Sequence, residues 1–321
     1  MRKMMKRAGV LAALALGLGC SGTAPGSADM DGSQGDSKVL VGAFQVGLVA
    51  PVPASMTPGY TAVVGKVYDG PSPALIIWTQ TRQEGVCKLL KPSVPFCNTP
   101  CTGGAVCVAA DKCQKYPSGQ DVGAVKVSGL KTADGAMEFT MTAIAKNYQP
   151  PAGVSLPYPA FAEGAAIKFD AAGGPYAPFS LQTTGISPLT LQNGTIALAM
   201  NQAVALSWNA PTKAGAKVHV KLDISHHGGS KGMIECDADD SGALTLPAAL
   251  ITELLSLGAA GFPTIIVTRT STGSAVIAPG RVDLVVSSEV EKEVVVPGVT
   301  SCHEDTDCPM GKTCQADLTC K

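Results

Sequence analysis

Residues 217–224 read KVHVKLDI, and Val218, Val220, Leu222 and Ile224 alternate there with Lys217, His219, Lys221 and Asp223. A period of two places the four apolar side chains on one face of an extended segment and the polar ones on the other, which predicts an antiparallel strand with one face solvated. The same alternation occurs at Val204, Leu206 and Trp208. It recurs where Val125 and Val127 alternate with Lys126 and Ser128, and where Met137, Phe139 and Met141 alternate with Glu138, Thr140 and Thr142. Further strand-like runs begin at Val39 and cover 60–67, 74–81, 264–269 and 281–287, separated by turns rich in Pro and Gly such as Asp69-Gly70-Pro71.

One stretch has the other period. Leu250, Ile251, Leu254 and Leu255 form a helical apolar face within 246–257, Pro247 suits its first turn and Gly258 its C-terminal cap. Strands and helices do not alternate, so a parallel α/β fold is disfavoured. The expected class is all-β: a first β domain over 38–186, a second β-sandwich-like domain over 187–297 and one short helix. Trp78, in the most apolar of the early runs, is the expected centre of the first sandwich. The 36 Gly, 23 Pro and 15% charged residues fit such a turn-rich chain.

The chain holds eleven cysteines. Five lie in the first domain (Cys87, Cys97, Cys101, Cys107, Cys113) and define an insertion over 87–116. Four (Cys302, Cys308, Cys314, Cys320) lie in a C-terminal module over 298–321, and Cys236 and Cys20 stand alone. Zinc sites use closer cysteine pairs than the five-residue gaps here, so clustering at this spacing points to disulfides formed outside the cytoplasm. Parity then carries an inference. The four tail cysteines can close among themselves, five in the first cluster cannot, and Cys236 is the remaining candidate partner. Cys87, outside the five-residue repeat, is the expected mate. A bridge closing so long a loop contributes about 4–5 kcal/mol in the chain-entropy model.

The N-terminus places four basic residues in its first seven positions, followed by an apolar run over 8–18 too short to span a bilayer, the form of a signal peptide over 1–19. Its end, Leu16-Gly17-Leu18-Gly19-Cys20, resembles the bacterial lipobox. That resemblance implies cleavage before a lipidated Cys20, and Ser21 after it implies an outer-membrane address in a Gram-negative bacterium. Removing Cys20 from the thiol pool leaves an even number; the alternative is a secreted protein cut after Ala28. Residues 20–37 read as a flexible tether of about 20–25 Å reach. The segment over 1–19 holds four of the 24 basic residues and none of the 25 acidic ones, so the mature chain is net acidic. No nucleic-acid partner is expected for it.

The tail reads C-x-x-D-x-D-C-P-x-G-x-x-C-x5-C through Cys302, Asp305, Asp307, Cys308, Pro309, Gly311, Cys314 and Cys320. It resembles a cysteine-rich module of Dickkopf-like proteins that also occurs in predicted surface lipoproteins of myxobacteria. Cys101, Gly103, Gly104, Cys107 and Cys113 form a looser copy. The resemblance implies a structural or interaction role, with the membrane (through the anchor) and envelope proteins or glycans as partners. No cofactor and no enzymatic activity are expected.

The densest polar stretch, 223–242, offers Asp223, His226, His227, Asp237 and Asp239 as an alternative divalent-metal set for a binder or hydrolase. Its HHGGS resembles a segment of metallo-β-lactamase-fold proteins, but the H-x-H-x-D-H ligand motif is absent and that family is rejected. Asp237, Asp239, Ser241 and Gly242 match half of an EF-hand loop, whose twelfth position is Ala248 in place of the required Glu. The competing reading is a polar turn between strands. The Tyr- and Pro-rich stretch over 148–179 could line a glycan groove or simply pack.

Overall fold

The computed structural model describes residues 39–52, 56–277 and 280–321. The expected signal peptide, Cys20 and the tether lie outside the described residues. KVHVKLD forms β14 (Lys217–Asp223) with Val218, Val220 and Leu222 buried. It pairs antiparallel on one side with β15 (Met233–Asp239) and on the other with β17 (Thr264–Ile277). β17 pairs along its length with β18 (Gly280–Val295), and these 14- and 16-residue strands are about twice as long as the apolar runs predict. The reason is visible in the register. Alternation continues past Arg269 with Ser271, Gly273 and Ala275 at the inward positions, small residues that hydrophobicity does not flag.

β1 (Val41–Val49) runs parallel to β18 and antiparallel to β2 (Tyr60–Tyr68). The hairpin of β3 (Ile77–Glu84) and β4 (Cys87–Ser93) joins the opposite edge by pairing β4 with β15. β9 (Asn147–Tyr148) follows β2, and β12 (Ile196–Ala197) pairs with β18, which completes a sheet of ten strands with the path β3-β4-β15-β14-β17-β18-β1-β2-β9. This sheet cannot be flat. Eight residues lie between Tyr68 and Ile77, and the connection reaches about 30 Å at full extension, whereas seven strand spacings separate β2 from β3 by about 34 Å in a flat sheet before any shift along the strands. Right-handed twist must coil its two edges toward each other.

The two expected domains therefore share one sheet, and the described residues form one compact unit. Their cores remain distinct. On β18 the inward side chains are all at even positions. Val282, Leu284 and Val286 belong to a first core, Ser288 follows, and Val290 and Val294 belong to a second. The first core is roofed by a four-stranded sheet, β11 (Phe179–Thr184), β10 (Ala166–Ala171), β7 (Val125–Ser128) and β8 (Glu138–Met141), whose Phe169 meets Phe44 of β1 edge-on at 5.6 Å. The second is roofed by the pair β13 (Val204–Ser207) and β16 (Ala243–Leu246) and by α1 (Ala248–Leu255), which buries Leu250, Ile251 and Leu254. Sequence and structure agree on that helix, with Pro247 at its N-cap. Burial of so many Val, Leu and Ile side chains, about 1.5–3 kcal/mol each, makes up most of the driving force of both halves.

Between the cores runs a polar seam centred on Arg269, which is fully buried. Its Nε donates to Asp240 Oδ2 at 2.5 Å, Nη1 to the carbonyl and hydroxyl of Ser187 at 3.0 and 2.8 Å, and Nη2 to the Asn209 carbonyl at 2.5 Å. Asp240 Oδ1 in turn accepts from Trp208 Nε1 at 2.7 Å. Ser271 bonds Thr183 and Ser288 accepts from the Leu189 amide, so the crossing at 187–189 is latched from both strands of the hairpin.

Two sequence expectations change. Trp78 lies half-buried on the edge strand β3, outside both cores, while Trp208 is buried in the second. The insertion begins after Ser93, because 87–93 is strand β4 of the main sheet. The aromatics of 148–179 mostly pack: Tyr148, Phe161 and Phe169 are core residues, and Tyr158, Tyr176 and Phe179 lean on the same core. The Tyr148 hydroxyl bonds Asp121 at 2.9 Å and accepts from the Val122 amide at 2.8 Å, and burial pushes its pKa up.

Candidate functional site

The ten described cysteines form five disulfides. Cys87 and Cys236 face each other in the β4/β15 ladder and are bridged, as parity and the odd position of Cys87 predicted. The others are Cys97–Cys107, Cys101–Cys113, Cys302–Cys314 and Cys308–Cys320. Each cluster is thus closed first to third and second to fourth. Cys97, with a shorter gap, is the true counterpart of Cys302. With Cys101 matched to Cys308, other features superpose: Gly104 and Gly311 both have positive φ, as do Asp111 and Leu318, four residues past the third cysteine. In the backbone ladder Cys107 faces Cys113 across β5 (Ala105–Ala109) and β6 (Lys112–Lys115), and Cys314 likewise faces Cys320 in an isolated antiparallel pairing. The looser copy is a full structural repeat.

Each copy is tied to the body. In the first, Gln114 Nε2 donates to the Pro71 carbonyl at 2.8 Å, and the Ser118 amide donates to Asp69 Oδ1 at 2.7 Å. In the second, the Gly261 amide donates to the Asp317 carbonyl at 2.7 Å, the Ser301 hydroxyl donates to the Gly261 carbonyl at 2.5 Å, and the His303 ring stacks on Phe262 at 4.5 Å. Lys321 and Thr319 hold the Asp317 carboxyl down at about 2. Several apolar side chains of these segments remain in solvent, with Val94 75%, Phe96 74% and Met310 fully exposed.

The alternative metal set is divided between the two ends of the β14/β15 hairpin. Asp223 accepts from the amide and hydroxyl of Ser225 at 2.8 and 3.0 Å, a turn-forming role. The His226 and His227 rings meet at a tilt with centroids 4.0 Å apart, and His226 Nε2 lies 3.7 Å from Glu291. Asp237 and Asp239 sit on the solvent face of β15, opposite His219 and Lys217 in register, and Asp239 pairs with Lys217. Four residues of strand, about 13 Å, separate the row of Asp223 from that of Asp237. Among the described residues, the only groups of three close metal-type donors are cysteines already in disulfides.

What the structure assembles instead is a row that the sequence shows but did not single out. His219 Nδ1 is 2.9 Å from Asp237 Oδ1, and its Nε2 is 4.0 Å from Glu235 Oε1. His219 on β14, and Glu235 and Asp237 on β15, share one face because each sits at the odd position of its alternation. Glu235 keeps only 11% of its side chain exposed, and burial pushes its carboxyl up from the ordinary value against the pull of His219, Lys221 and Lys88. Beside them a shallow cleft of about 440 Å³ is lined by Val86, Lys217, His219, Asp237, Asp239 and Thr270.

Comparison with family models and with curated proteins finds no match to the chain.

Proposed function

We propose that this chain is a lipid-anchored protein of the bacterial outer membrane or cell surface with a non-catalytic binding or adhesive role. It would be held by Cys20 on its tether and use no cofactor. The observation that supports this most is the repeat. One interleaved disulfide unit occurs twice on a single β body, and solvent-facing apolar side chains (Phe96, Met310) stand on or beside it. Apolar anchors on rigid, pre-ordered loops lose little entropy on binding, which suits a recognition surface. Envelope proteins or glycans are the partners in this reading.

The test is intact-mass analysis of protein extracted from membranes, alongside a Cys20→Ser variant. The reading expects diacylglycerol on Cys20 in the wild type and release of the variant to the soluble fraction, or its retention as uncleaved precursor. An unlipidated wild-type chain cut elsewhere would overturn it.

A further inference from the structure

We propose that His219 and Glu235 form a binding site for one divalent transition-metal ion of the zinc class, with Asp237 as the positioning residue of the imidazole. The inference is independent of membrane anchoring. Three observations converge on it. Asp237 sits 2.9 Å from Nδ1, so a neutral imidazole that donates Nδ1–H to this carboxylate turns its Nε2 lone pair toward Glu235; a carboxylate behind a ligating histidine is the usual arrangement at zinc sites. The free Nε2 faces Glu235 Oε1 across 4.0 Å, too far for a hydrogen bond between them. Two ligands at about 2.0–2.2 Å from a tetrahedral ion lie roughly 3.4 Å apart, so closure needs a shift of well under 1 Å. Finally, Glu235 accepts no hydrogen bond among the described residues, so its carboxylate is available to a cation. An ion between the two groups would satisfy both.

The strands make the site rigid. His219 and Asp237 are opposite each other in the ladder and Glu235 is two residues along β15, so all three side chains leave one pleated face. The Cys87–Cys236 bridge fixes the neighbouring strand pair directly behind them. The face is open to the adjoining cleft, so water can complete the coordination. Lys221 and Lys88 flank Glu235 and oppose a cation, which sets the expected affinity in the micromolar range and below that of closed four-ligand zinc sites.

The experiment is a Zn2+ titration of the full mature chain in detergent, stripped with chelator, followed by calorimetry and by the ring 15N signals of its histidines. One equivalent should bind, and of the four histidines only His219 should shift, at Nε2. His219→Gln should abolish binding, and Glu235→Gln should weaken it at least about tenfold. Asp237→Asn should weaken it about 10- to 100-fold without changing the stoichiometry, whereas His226→Ala should leave it intact. Shifts at His226, His227 or His303 in place of His219, or no uptake at millimolar Zn2+, would overturn the proposal. The wild-type ring signals decide this even if a variant fails to fold.

Discussion

At the scale of single residues, the side chain on which the architecture turns is Arg269. A guanidinium with no exposed surface is tolerable only when its donors are engaged, and here Asp240, Ser187 and Asn209 engage them. Asp240→Asn keeps the shape but removes the countercharge, leaving a buried cation uncompensated. It should cost about 3–5 kcal/mol in chemical denaturation, and a loss under about 1 kcal/mol would show that the seam does not hold the two cores together. Neither residue was visible as special in the sequence: Arg269 looks like the polar end of a short strand, and Asp240 like one more acid in a turn.

At the scale of elements, the β17/β18 hairpin is the common floor of both cores, and its inward residues change character along its length. Large apolar side chains face the second core; Arg269, Ser271 and Ser288 cross the seam, and then Gly273 lets another strand in. A Cβ at Gly273 would lie 1.8 Å from the Gln182 carbonyl oxygen of β11, so no larger residue fits without moving the roof of the first core. Gly273→Val should lower stability by about 1–3 kcal/mol or more, while Thr272→Val, one residue away on the exposed face, should stay within about 0.5 kcal/mol. Equal effects of the two would refute close packing of β11 on β17. Gly65 plays a similar part in β2, where the Phe44 ring lies across it with 2.2 Å to the position of an added Cβ.

At the scale of the whole molecule, strands from the first 93 residues flank the hairpin on both sides, and the Cys87–Cys236 bridge closes a loop of 149 residues. Sharing a sheet couples the two cores: losing β1 would uncover Val282, Leu284 and Val286, and losing β4 would uncover β15. Calorimetry on the chain with its disulfides intact should therefore show one cooperative transition, with equal calorimetric and van't Hoff enthalpies. Two separated transitions, one for each expected domain, would contradict this coupling.

The sequence by itself determined what is local or countable. Period-two alternation marked β14, β7 and β8; helical spacing with Pro247 marked α1; parity and repeat spacing selected Cys87 for Cys236. The division expected near 187 does not part the cores, because Val282, Leu284 and Val286 lie in the first and Cys87 and Leu89 in the second. Tertiary structure alone decided which strands are neighbours, because pairing between residues as distant as Val41 and Arg281 leaves no trace in local periodicity. It also decided which polar groups meet. The 223–242 stretch is dense in candidate ligands, but a β-hairpin spreads them at over 3 Å per residue, and so Asp223 and His226 part from Asp237 while His219, from the facing strand, joins it.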